Sequence, residues 1–308
     1  MIAQDIGLWA VPVAILGGAI RVSTPFLFVS LGEAITERSG RINLGLEGTL
    51  VFGAMSAYAV AYETGSAWLG VVAAAFAGTL FGLFHGWVCK LPKVNDIAIG
   101  IALMLLGMGL AFFFGKPYIQ PVAPDLPAIP LGFWSDIPQV QAALRVNVLF
   151  LIGIVLVLAV AWVFRSTRIG LIIRVVGDSS DAARAMGINA NVVRLLATAT
   201  GGAMAGIGGA YLSLYYPGSW NEGISSGQGL MAVALVIFAR WSPVNCFWAA
   251  LLFGGAGALG PALQSVGVTQ GYYLFYAAPY ILTLGLLVAT SSTTQALTGA
   301  PGELSITK

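Results

Sequence analysis

The stretch GEAITERSGRINLGLEGTLVFGA, from Gly32 to Ala54, decides how the chain is read. It sets Glu33, Glu37, Arg38, Arg41, Asn43 and Glu47 between two runs that are otherwise almost wholly apolar. A charge at the centre of a bilayer is costly, so side chains of this kind face a bundle interior or a wet cavity. Gly40, Gly45 and Gly48 fall among them, and non-helical backbone at membrane depth survives only where protein or water satisfies its amides. The stretch therefore predicts a helix end, a break near residues 36–48 and a new helix, all beside a solute path.

The flanking composition agrees. Of 308 residues 58% are hydrophobic and only 8% charged, where a soluble domain carries about 25% charged residues. The 40 glycines suit membrane helices, which pack closely through small residues. The apolar runs are long and continuous, unlike the short alternating segments of a β-barrel. The fold class expected is all-α: a polytopic transmembrane helix bundle forming a single domain over residues 1–308. A net charge of +2 is too small to suggest nucleic acid as a partner; membrane lipid is the expected surrounding.

Nine hydrophobic segments are counted: Trp9 to Ile35, Ile42 to Tyr62, Ser66 to Cys89, Val94 to Gly115, Val146 to Phe164, Val192 to Leu214, Ile224 to Trp241, Asn245 to Leu263 and Gly271 to Ser291. Each is near the roughly 20 residues that a membrane helix needs. The first carries Arg21 and Pro25, so tilting or kinking there leaves eight to ten spans open. It lacks a positive leading region and a clear cleavage site, and is expected as a retained span rather than a signal peptide. Arg21 calls for a buried partner such as Glu33 or Glu47.

Basic residues set the orientation. With the 165–194 loop cytoplasmic, alternation places Arg38, Arg41, Lys90, Lys93, Arg165, Arg168, Arg174, Arg184, Arg194, Arg240 and Lys308 inside, and Lys116 and Arg145 outside. The expected carboxyl terminus is cytoplasmic and the expected amino terminus outside. The outer connection over 116–145 holds prolines at 117, 121, 124, 127, 130 and 138 with Phe133 and Trp134. It is expected to be extended and rigid, either as a linker or as part of a docking surface.

Small-residue stripes at Gly78, Gly82 and Gly86, and at Gly202 and Gly206, predict close helix packing. His85, inside the first stripe, is expected to make an interhelical hydrogen bond rather than to relay protons or bind metal. Cys89 and Cys246 make no disulfide framework. Glu37, Arg38 and Arg41 read as an ion-pair cluster at the cytoplasmic membrane edge, where basic side chains snorkel.

In the loop RSTRIGLIIRVVGDSSDAARAMGINANVVR, Arg165 to Arg194, Ser179 or Ser180 is suited to cap a short helix, Asp181 favours its first turn, and Gly187 ends it. So short a helix is marginal alone and needs something to pack against, or else lies on the lipid headgroups.

The run Asp181-Ala182-Ala183-Arg184-Ala185-Met186-Gly187 resembles the EAA-three residues-glycine signature of ABC-importer permeases, with Asp181 in place of Glu. The run Glu37-Arg38-Ser39-Gly40-Arg41-Ile42-Asn43-Leu44-Gly45-Leu46-Glu47-Gly48 resembles the motif of permeases of the ribose and branched-chain amino acid class. Within that class it is most similar to the branch for nucleosides and simple sugars, as is Gly299-Ala300-Pro301-Gly302-Glu303-Leu304. The resemblance covers nearly the whole chain and implies a multi-pass transport subunit of a bacterial-type cytoplasmic (inner) membrane. Its implied partners are a second permease chain, often non-identical in that class, a cytoplasmic ABC ATPase and an extracytoplasmic solute-binding protein, commonly a lipoprotein. The short helix with Asp181, Ala182, Ala183 and Gly187 would couple to the ATPase.

The motif G-x-x-x-x-G-K-[ST] does not occur, since Gly115-Lys116 precedes Pro117, so ATP and Mg are expected on the partner ATPase and no cofactor, metal or catalytic residue here. A neutral polar solute needs hydrogen-bonding groups in an apolar pocket. Asn43, Glu47 and Gln228 are the candidates, with helix capping or interhelical bonding as the competing role for each. The implied activity is ATP-driven import of a nucleoside or simple-sugar-like solute by alternating access. A self-contained secondary transporter or channel is the alternative. One histidine and two separated cysteines, with neither G-x-S-x-G nor H-E-x-x-H, leave little for an enzyme.

Overall fold

The structure is a computed structural model that describes residues 10–265, 270–271, 274–275, 277–290 and 300–305. Trp9, Gly299 and Lys308, used above, lie outside those residues. In chain order the helices are α1 (Ala10–Arg38), α2 (Leu46–Thr64), α3 (Ala67–Val88), α4 (Asp96–Gly115), α5 (Pro138–Ala143), α6 (Val148–Ser166) and α7 (Arg168–Asp178). They continue with α8 (Ser180–Ala185), α9 (Ala190–Leu214), α10 (Gln228–Phe238), α11 (Pro243–Ser265), α12 (Ala278–Thr290) and α13 (Gly302–Ser305).

Six helices among the described residues are long and apolar enough to cross a membrane: α1, α3, α4, α6, α9 and α11. The nine spans read from the sequence are not reached on this measure. The segment at Ile42 to Tyr62 became α2, whose 19 residues begin and end near Glu47 and Glu63; packed against α3, α4 and α9, it is covered by protein rather than lipid. The segment at Ile224 to Trp241 became the 11-residue α10, because a turn-rich stretch occupies its first residues. The last segment is represented by the 13-residue α12.

α1 runs unbroken through Pro25 for 29 residues, about 43 Å at 1.5 Å per residue, more than the roughly 30 Å hydrocarbon core. The chain then breaks over residues 39–45, with Gly40 at φ +84. Several spans start on side-chain caps that satisfy otherwise orphaned amides. Asn95 Oδ1 accepts from the Ile97 and Ala98 amides to open α4, Asn147 Oδ1 from Leu149 to open α6, and Asn189 Oδ1 from Val192 to open α9.

The glycine stripes are contact seams. A Cβ placed on Gly78 would lie 2.0 Å from the Gly202 carbonyl oxygen, and one on Gly82 would lie 2.1 Å from that of Thr198. Hydrogen is therefore the only side chain that lets the backbones of α3 and α9 touch. His85 Nε2 lies 3.5 Å from Cys89 Sγ. That partner is one turn on in the same segment, and the ring also meets the Ile42 backbone in the break between α1 and α2.

The proline-rich connection is not simply extended. After a 3₁₀ turn at Lys116–Tyr118, β1 (Ala128–Pro130) pairs antiparallel with β2 (Arg145–Asn147), Ile129 facing Val146, and α5 lies between them. Phe133 and Trp134 are 82% and 68% exposed.

Candidate functional site: a cavity, a broken helix and a small cytoplasmic-loop helix

The break is organised by carboxylates. Glu33 Oε1 accepts from the Asn43 amide at 2.8 Å, and Asn43 Oδ1 accepts from the Gly45 amide at 2.9 Å. Asn43 is 1% exposed, and its side chain closes the turn that leads into α2. Glu47, in the first turn of α2, reaches a second helix. Its Oε1 accepts from Ser225 Oγ at 2.5 Å and the Gly227 amide at 3.0 Å, and its Oε2 from the Gly229 amide at 2.6 Å. α10 has no side-chain cap from its own residue Gly227; Glu47 supplies that cap from another element, where the helix dipole favours a negative charge.

Asn43 and Glu47 thus build the frame. Gln228, the third solute-path candidate, is different: among the described residues its buried Oε1 has no hydrogen-bond partner. It lines a cavity of about 440 Å³ with Phe26, Met231, Tyr216 and Tyr280. The Tyr280 hydroxyl donates to the Ser226 carbonyl at 2.9 Å, fixing one ring at the rim. A neighbouring cavity of about 260 Å³ shares Tyr216 and Pro261 with it and is also lined by Arg21. Nothing in the local sequence pattern marks Phe26, Tyr216 or Tyr280, which come from three separate parts of the chain.

Arg21 does not meet Glu33 or Glu47. Its guanidinium donates to the Ala142 carbonyl in α5, so the first half of α1 lies under the proline-rich connection. The expected cluster of Glu37, Arg38 and Arg41 is also reorganised: they do not pair with one another. Arg41 forms an ion pair with Asp96 at the start of α4. Glu37 accepts from the Trp241 indole, and Arg38 Nε donates to the Trp241 carbonyl at 3.2 Å. Glu37 and Arg38, in the last turn of α1, share Trp241 as their partner, whereas Arg41, beyond the helix end, reaches the start of α4.

At the far end of α1 the 165–194 loop holds two helices, α7 and α8, where one short helix was expected. The apolar and basic spacing of RIGLIIRVVGD makes α7 amphipathic. α8 has the anticipated boundaries: Ser179 Oγ accepts from the Ala182 amide at 3.2 Å, and Gly187 adopts φ +77. Ala183 is fully buried, in a small cluster with Val176 and Ala190. Asp181, Ala182, Arg184 and Gly187 are exposed.

The sequence reading also missed a contact made by α13. Glu303 Oε1 accepts from the Ser180 amide at 2.7 Å, and Glu303 Oε2 lies 3.2 Å from Arg194 Nη2. Burial raises the Glu303 carboxyl, but the Ser180 amide and the Arg194 guanidinium outweigh it and hold the group below its ordinary value. Arg194 Nε in turn donates to the Ser39 carbonyl at 3.1 Å, tying α13, α8, α9 and the break together.

Comparison with known proteins agrees with this architecture. The chain is 34% identical over 82% of its length to the putative glucose ABC transporter permease protein TsgC13 of Haloferax volcanii, covering 79% of that protein. It is 30% identical over 85% of its length to the guanosine ABC transporter permease protein NupQ of Bacillus subtilis, covering 87%. It is 27% identical over 89% of its length to the nucleoside ABC transporter permease protein NupC of Lactococcus lactis, covering 90%. The family model described as branched-chain amino acid transport system / permease component matches residues 9–290, and the chain belongs to that family of multi-pass membrane permeases.

Proposed function

We propose that this permease imports a nucleoside or a related simple-sugar-like solute into the cytoplasm, driven by a separate ABC ATPase. Similarity to permeases named for guanosine, nucleosides and glucose supports that solute class. The partners in this reading are the ATPase, an extracytoplasmic solute-binding lipoprotein and a second, non-identical permease, the membrane being the cytoplasmic (inner) one with the carboxyl terminus inside. Similarity to both NupC and NupB of Lactococcus lactis supports a two-permease assembly.

The observation that carries the reading is a separation along α1. Its middle, at Val22 and Phe26, borders the cavity that Gln228 lines, and its far end borders α7, which leads directly into α8. In this reading the cavity takes the solute: Gln228 offers hydrogen bonds, and Phe26, Tyr216 and Tyr280 offer ring faces. Asn43 and Glu47 hold the walls. The 116–145 connection faces outward and the 165–194 loop inward. The exposed side of α8, with Asp181 and Ala182, docks on the ATPase while Ala183 anchors it to α7 and α9, so ATP-driven closure below switches the cavity's access above.

The test is reconstitution of the permeases with their ATPase and binding protein. Ala183→Leu or Gly187→Val is expected to leave membrane insertion intact and to abolish solute-stimulated ATP hydrolysis and uptake together. Wild-type uptake by either variant would remove α8 from the coupling path.

A further inference from the structure

A further recess, apart from the two cavities above, lies at the α8 end of the bundle. It measures about 200 Å³ and is walled by Arg38, Arg165 and Arg174 with Phe164, Trp241 and Val244. All three arginines line it, and among the described residues none of the three has a carboxylate within ion-pairing distance. Arg38 spends its Nε on the Trp241 carbonyl, and Arg174 spends its Nε weakly, at 3.4 Å, on the Gly170 carbonyl of its own helix. Arg165 makes no side-chain hydrogen bond among the described residues. Asp178 attracts Arg38, while Arg174 repels it. Such an assembly is unfavourable alone and is offset by an anion, with guanidinium forks matching phosphate oxygens.

The surroundings tell which phosphate. Trp162 and Trp248, close along α6 and α11 from Arg165 and Val244, are 63% and 64% exposed, and exposed tryptophan marks the level of the membrane interface. α7 exposes Ile169 and Leu171 beside Arg168 and Arg174, the pattern of a helix lying in that interface. Above the arginines, Leu158 and Leu252 are exposed on α6 and α11, an apolar surface suited to acyl chains. We infer that this recess binds the headgroup phosphate of an anionic glycerophospholipid. The leaflet, cytoplasmic, rests on the orientation proposed above; the site itself does not.

The complete transporter, purified in detergent, would be titrated with phosphatidylglycerol against phosphatidylcholine, and retained lipid counted by native mass spectrometry. Wild type is expected to retain phosphatidylglycerol selectively, and Arg165→Gln/Arg174→Gln to lose that selectivity about tenfold or more. Lys90→Gln/Lys93→Gln removes equal charge from the connection between α3 and α4 and should leave it unchanged. Equal loss in both double variants, or no loss in the arginine variant, overturns the site. Displacement of the lipid by inorganic phosphate would make the recess a soluble-anion site and overturn it too. The readout needs neither ATP nor solute, so it stands apart from the uptake assignment.

Discussion

The carboxylate of Glu303 accepts a 2.7 Å hydrogen bond from the amide of Ser180 across 123 residues of sequence, placing α13 at the first turn of the helix proposed to meet the ATPase. A group held lower in the folded state than in the unfolded one stabilises above its unfolded value and ceases to do so as pH falls through its folded value. Glu303 is such a group.

Replacing Glu303 by Gln should therefore lower the melting temperature at neutral pH. The gap from wild type should close as the medium is acidified below the ordinary carboxylate range. Thermal denaturation across a pH series checks this, and a gap that persists in acid would show that the negative charge is not what secures α13.

Glu47→Ala removes the acceptor for one hydroxyl and two backbone amides. Buried donors left without partners cost about 1–3 kcal/mol each, so a loss of about 3 kcal/mol in stability is expected, with a smaller loss for Glu47→Gln. Melting in detergent gives the number; an unchanged melt would mean that the start of α10 does not depend on this carboxylate.

Gln228→Leu should act in the opposite way. Its Oε1 has no partner among the described residues, so replacing it by an apolar group of similar size is expected to be nearly neutral for stability. Uptake in the reconstituted system should fall about tenfold, the order of one lost solute hydrogen bond. A variant that transports normally would take Gln228 out of the solute path.

Gly82→Leu should prevent accumulation of the folded permease, because the new side chain would meet the backbone of Thr198 and separate α3 from α9. Gly109→Leu is the matched control: nothing lies within 4 Å of a Cβ there. Expression and size-exclusion profiles of the two variants make the comparison.

Features carried by local pattern were readable before any coordinates. The break near Gly40, the Ser179 cap, the Gly187 stop and the packing role of Gly78 and Gly82 each depend on residues close in sequence. Partner choice did not follow, because it depends on where distant elements arrive. Arg21 found Ala142 rather than an acid, Arg41 found Asp96, and Glu37 and Arg38 met at Trp241. α7 was not legible because RIGLIIRVVGD carries only two basic residues, Arg168 and Arg174, about an otherwise apolar run in a loop read for its charges. The cavity was invisible for the same reason as Glu303: its lining comes from segments far apart in the chain.

The contact between α3 and α9 limits how this protein moves. Carbonyls packed directly against α-carbons leave no side chains to hop from one groove to the next, so the two helices travel as one strut. Arg194, in the first turns of α9, is bonded to the Ser39 carbonyl. In the coupling proposed above, a push delivered at Ser180–Ala185 would pass along the strut into the bilayer, and the compliance needed to open and shut a passage would fall on the shorter α10 and its approach from residue 215.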